Sequence, residues 1–172
     1  MSWHSPLHSL YDLALQKYTA GNREPGSYFD AKQTEFLSSI GIRPMEVYDF
    51  AEDKIKYGEP DWETFLLVQA ARRDYFLHVQ GGQWSGTRIS VDKLPAKTEA
   101  LDGIVWLPRI IPKAWAKLKG EMPDELMYGC GGDRAFFGDN NVEAADFLRF
   151  VWSAGADNGK IAAYVKAQKN RQ

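Results

Sequence analysis

Apolar residues return every three or four positions over most of this chain, the spacing of one buried helix face. In "PLHSLYDLALQKYT" (6–19), Leu7, Leu10, Tyr11, Ala14, Leu15 and Tyr18 keep that spacing, and Pro6 suits a first helical turn. A second helix is expected over 30–40, opened by Asp30 as its cap. A third starts at Pro44, with Glu46 favouring its N-terminus and Val47, Tyr48, Phe50, Ala51 and Ile55 forming its stripe. The segment 61–80 is the longest candidate. Asp61 caps it, Gly81–Gly82 ends it, and apolar side chains surround most of its circumference, as in a central helix.

The helical period lapses beyond Trp84, where only "TRISVD" (87–92) alternates, enough for one short strand. The period resumes over 104–119, with Leu107, Ile111, Ala114 and Leu118 on one face. A helix begun at Pro108 carries Pro112 inside and kinks; one begun near Ile110 does not. Three more helices are expected near 133–137, 142–154 and 157–169, the last capped by Asp157. The expected fold is mainly α, a compact helical domain with at most one short strand.

A shift of 100 residues lays "TEFLSSIGIRPMEVYDFAE" (34–52) over "RAFFGDNNVEAADFLRFVW" (134–152) without a gap. Phe36 meets Phe136, Ile42 meets Val142, and Phe50 meets Phe150; after a four-residue deletion Asp61 meets Asp157. One reading is a duplicated helical unit. The other is that any two short amphipathic helices can be aligned. The expected layout is a single domain over 1–172, with repeat units 30–80 and 133–169 joined by 81–132.

Composition narrows the function classes. The 172 residues are 44% hydrophobic, enough for a sizeable core, and 21 Lys and Arg against 23 Asp and Glu give a net charge of −2. That balance steers the chain toward neither nucleic acid nor an anionic membrane, and neither partner is expected. No run approaches the roughly 18 apolar residues of a spanning helix. "MSWHSPLHSL" has no basic region followed by an apolar stretch, so no signal peptide is expected and the location reads as cytoplasmic. One cysteine excludes an internal disulfide and a multi-cysteine zinc site. His4 and His8 flank Pro6 and read as a solvated end, leaving His78 as the one internal histidine; no metal and no cofactor is expected.

Three groups of residues carry candidate chemistry. Arg72 and Arg73 share a wedge of the 61–80 helix with Phe65 and Phe76, so they bind a carboxylate or phosphate or else form an internal salt bridge. Arg109, Lys113 and Lys117 are four apart, a basic strip that is either an anion site or a solvated face. "MYGCGGDRAFF" (127–137) holds Tyr128, Cys130 and Asp133. Gly129, Gly131 and Gly132 allow close backbone approach, Asp133 can cap the next helix, and free N–H groups there form an anion nest. Cys130 near that helix start is a candidate nucleophile without a clear base. The loop is neither a phosphate-loop nor a dinucleotide fingerprint.

"GIVWLPRIIPKAWAKLKGEMPDELMYGCGGDRAFF" followed by "VEAADFLRFVWSAGADNGKIAAYV" resembles the C-terminal half of a bacterial family, the domain of unknown function 5069. Members resemble it in a Leu-Pro-Arg segment (Leu107, Pro108, Arg109), a Lys-rich helix (Lys113, Lys117), and a Tyr–Cys–Asp loop (Tyr128, Cys130, Asp133). The similarity covers roughly 101–166, and "FDAKQTEFLSSIGI" through "RRDYF" looks like the N-terminal half of longer members. This chain departs in its Gly-Gly, where many relatives have Pro-Leu, and in Pro112, where an acidic or small residue is usual. The resemblance implies no activity, cofactor or catalytic residue.

The favoured expectation is a binding or interaction domain for a small anionic metabolite, its site joining Arg72, Arg73, Arg109, Lys113, Tyr128, Cys130 and Asp133. The alternatives are a small enzyme using Cys130 or an Asp–Arg pair, and a protein–protein adaptor with an exposed aromatic patch.

Overall fold

The computed structural model describes residues 2–171. Among them the fold is mainly α: eight α-helices, two single 3-10 turns and one two-stranded hairpin. Contacts divide the chain into two compact units, residues 1–84 and 85–172.

Unit 1 holds α1 (His4–Thr19), α2 (Ala31–Ser39), α3 (Pro44–Tyr57) and α4 (Trp62–His78). Helix α1 lies on α3. The core gathers Leu7, Leu10 and Ala14 from α1, Leu37 from α2, Val47 and Phe50 from α3, and Phe65, Val68 and Phe76 from α4. Phe65 stacks on Tyr11 at 4.8 Å between ring centres and meets Phe50 edge-on at 5.0 Å. Asp30 opens α2 by accepting from the Gln33 N–H at 2.8 Å, while the Gln33 side chain accepts from Asp30 N–H, a reciprocal capping box. The Glu46 carboxylate likewise accepts from the Arg43 N–H at the start of α3, and Asp61 caps α4 through the Thr64 N–H. Gly41 ends α2 at φ 74°, and a Cβ there would sit 2.6 Å from the Phe76 ring, so both conformation and space demand glycine.

His4, Ser5, Pro6 and His8 are exposed, as expected of a solvated end, although His8 also stacks on Trp62 at 4.1 Å. One expectation changes in unit 1. Helix α4 is not wrapped in core on all sides: Leu67 and Val79 are about half exposed.

Unit 2 opens with an extended segment. "TRISVD" does not form the expected strand; Ile89 N–H donates to the Glu121 carbonyl at 3.0 Å, and a 3-10 turn follows at Val91–Lys93. The strands are instead β1 (Ala100–Leu101) and β2 (Ile104–Val105), antiparallel, pairing Ala100 with Val105 and Leu101 with Ile104. Asp102 and Gly103 between them both have positive φ, as a tight two-residue hairpin turn requires.

Helix α5 (Leu107–Lys119) follows immediately, so Pro112 lies inside it rather than at its start. That position leaves the helix without the N–H bond a residue other than proline would make. Helices α6 (Gly131–Asp139), α7 (Ala144–Ala154) and α8 (Asn158–Lys169) complete the unit, with α5 and α8 both against α7 and Asp157 capping α8. Phe136, Phe137, Phe147, Leu148, Val151 and Ile161 fill its core.

Candidate functional site

In unit 2 the first turn of α6 is not capped by Asp133. The helix starts two residues earlier, with Cys130 in the cap position and Asp133 in the first turn. Asp133 is fully buried and turns back to accept from Gly129 N–H at 2.9 Å. Its other oxygen accepts from the Trp106 indole N–H at 3.0 Å. The Lys113 ammonium closes the arrangement, 2.5 Å from Asp133 Oδ2 and 3.4 Å from Cys130 Sγ.

Each member is placed by local sequence. Trp106 adopts a left-handed backbone, φ 73°, at the turn from β2 into α5, which sends its indole toward α6. Such a conformation costs a non-glycine residue on the order of 1–3 kcal/mol and needs its surroundings to hold it. Gly132 supplies the room: a Cβ there would lie 2.5 Å from the Trp106 ring. Lys113 sits two turns into α5, on the face that enters the core, and is 1% exposed. A buried ammonium requires an anionic partner, and Asp133 provides it.

Burial also governs Tyr128. Its phenol is pushed well above the ordinary range by desolvation, with the Asp133 charge adding to the effect. The hydroxyl donates to the Ala144 carbonyl at 2.8 Å and so ties the loop before α6 to the start of α7.

The expected basic strip on α5 is not a solvated face. Lys113 and Lys117 are both 1% exposed, because their side chains run inward with the apolar stripe. Arg109 is half-buried, donating to the Pro95 carbonyl at 2.7 Å, with its guanidinium 5.9 Å from the Trp106 ring centre. Arg134 donates to the Gly129 carbonyl at 2.8 Å. Thus Lys113, Cys130 and Asp133 form one bonded cluster, Arg109 adjoins it through Trp106, and Tyr128 braces the loop.

Arg72 and Arg73 belong to unit 1. Arg72 is fully buried, donates to Gln80 Oε1 at 2.7 Å and lies near the rings of Phe76 and Trp84. Arg73 is partly exposed, 3.8 Å from Asp74 and 5.1 Å from the Trp3 ring centre. No group of three or more His, Cys, Asp or Glu that could hold a metal occurs among the described residues. No helix among them is long and apolar enough to cross a membrane.

The sequence offers Trp106 as pocket lining or core beside the basic strip, with core the safer reading; the structure bonds its indole to Asp133 in the cluster. Its signal was the second glycine of "CGGD", which marks a close approach by something large.

Residues 92–172 match the family model described as a domain of unknown function, DUF5069. The matched stretch holds every residue of the cluster and lies wholly within unit 2. No curated protein and no solved structure matches the chain.

Proposed function

We propose that unit 2 binds a small anion, a carboxylate or phosphate, at the start of α6. The observation that carries this is the Lys113 ammonium, held by buried Asp133 and reaching to 3.4 Å from half-buried Cys130. There the first turn opens without a side-chain cap. Uncapped N–H groups at a helix start favour negative charge, and exposed Gly131, with the Arg134 guanidinium 3.8 Å from where its Cβ would lie, lets an anion approach the backbone. Arg109 and Arg134 add positive charge around one neutralised ion pair.

The test is an amide NMR titration with inorganic phosphate and, separately, acetate. Saturable shifts centred on Gly131 and Gly132 are expected, with affinity weakened about tenfold in Arg109→Met, the loss of one charge-assisted contact that leaves the buried pair intact. No saturable shift with either anion overturns the reading.

A second reading, a small enzyme using Cys130 as nucleophile, draws support from the same Lys113–Cys130 approach, which puts a proton-carrying group within reach of the thiol. It predicts that Lys113→Met slows alkylation of Cys130 by iodoacetamide. An unchanged rate counts against it.

A further inference from the structure

We infer that residues 7–78 and 107–169 are two copies of one four-helix module, and that the cluster at α6 is what the second copy acquired by exchange at a few positions. The equivalence goes well beyond the helices that suggested it. At an offset of 100, α1 lies over α5, and Leu7, Leu10, Tyr11, Ala14 and Tyr18 are buried, as are Leu107, Ile110, Ile111, Ala114 and Leu118. Tyr28 and Tyr128, both buried, precede α2 and α6 at the same offset. The two helices then begin and end at equivalent residues, Ala31–Ser39 and Gly131–Asp139.

The turns that follow agree bond for bond. Ile40 and Ile42 N–H donate to the Leu37 carbonyl, and Gly41 N–H to Ser38. Asn140 and Val142 N–H donate to the Phe137 carbonyl, and Asn141 N–H to Gly138. Gly41 is left-handed at φ 74° and Asn141 at φ 53°, asparagine being a side chain that tolerates this region. Helix α1 lies on α3, and α5 on α7. After a four-residue deletion, Asp61 and Asp157 cap α4 and α8 through the N–H three residues on. Two unrelated amphipathic helices share apolar spacing; they do not share turn hydrogen bonds, a left-handed residue and caps in one register.

The exchanges fall on the cluster. Where unit 2 has Lys113, unit 1 has Leu13; Cys130 stands over Asp30, Gly132 over Lys32, and Asp133 over Gln33. In unit 1 the α2 start is closed by its capping box. In unit 2 the cap is gone and Asp133 is turned to the ammonium. The site therefore occurs once per chain, in the second copy.

The binding consequence rests on the anion reading above, but the module equivalence is tested without it. The triple variant K113L/C130D/D133Q carries unit 1's residues at three positions. It is expected to keep the wild-type helical circular dichroism, to unfold cooperatively, and to melt well above the single variant D133Q, which leaves Lys113 unpaired. A triple variant that is unfolded, or that melts no higher than D133Q, overturns the inference. Phosphate-dependent shifts of Gly131 and Gly132 are expected to vanish in the folded triple variant. Their persistence would overturn the assignment of the site to these exchanges. A wild-type chain without such shifts removes the anion reading and leaves the melting comparison to decide on the modules.

Discussion

A Cβ on Gly132 would lie 2.5 Å from the Trp106 ring, so the indole and the glycine occupy each other's only available space. Helix α6 packs against a tryptophan here instead of presenting a side chain of its own. Gly132→Ala is therefore expected to destabilise the protein by about 1–3 kcal/mol, the usual cost of overpacking, although alanine is the better helix former. Urea unfolding checks it; a neutral or stabilising result would show that the ring yields freely.

The buried pair gives an asymmetric expectation. Asp133→Asn leaves the Lys113 ammonium buried without its anion and is expected to cost about 3–5 kcal/mol. The double variant D133N/K113M removes the stranded charge and should recover much of that loss, giving a coupling energy between the two sites. Four urea curves close the cycle. Independent, additive losses would mean that the pair does not act as a unit.

In unit 1, pH bears on Glu52. Burial works to raise its carboxyl, but hydrogen bonds from Lys56 and Tyr18 outweigh it and hold the group below the usual carboxylate range. Its stabilising contribution is thus fully present above the unfolded-state value, about pH 4.3, and is lost as pH falls through the lower folded value. Glu52→Gln should lower stability at neutral pH and flatten the acid limb of a stability–pH profile. An acid limb identical to that of the wild type would remove Glu52 from the cause.

Much of the helix layout was readable from spacing and caps. Asp30, Asp61 and Asp157 open the helices they mark, since a side-chain oxygen beside an apolar period has one local use. The failures share a cause. Asp133 looked like a cap because its neighbours are glycines, yet a buried ammonium twenty residues earlier in the chain competes for it and wins. Lys113 looked solvated because lysine usually is; only the fold reveals that its side of α5 enters the core. "TRISVD" alternates, but its Ile89 N–H bonds to the Glu121 carbonyl, and among the described residues no strand lies beside it to pair with. Local signals survive where the partner is within four residues, and fail where it is distant.

The caps offer a graded set. Asp61→Ala removes the acceptor for the Thr64 N–H; hydrogen bonding from the Thr64 side chain, and then from its N–H, holds the Asp61 carboxyl below its usual range. A loss of about 1 kcal/mol is expected. Asp30→Ala likewise removes the acceptor for the Gln33 N–H but keeps the N–H that donates to the Gln33 side chain, so the double variant D30A/Q33A, which loses both bonds, should cost more than D30A alone. Thermal unfolding ranks the three variants; a double variant that melts with D30A would mean that the reciprocal contact adds nothing.

Cys130 is the chain's one thiol, and its side chain is half-buried beside the ammonium of Lys113. A fluorophore or spin label directed at sulfur thus has a single address, with no cysteines to be removed first. Any labelled molecule carries its reporter at the edge of an ion pair that is wholly out of water, where a change in that pair alters the reporter's signal before it alters the fold.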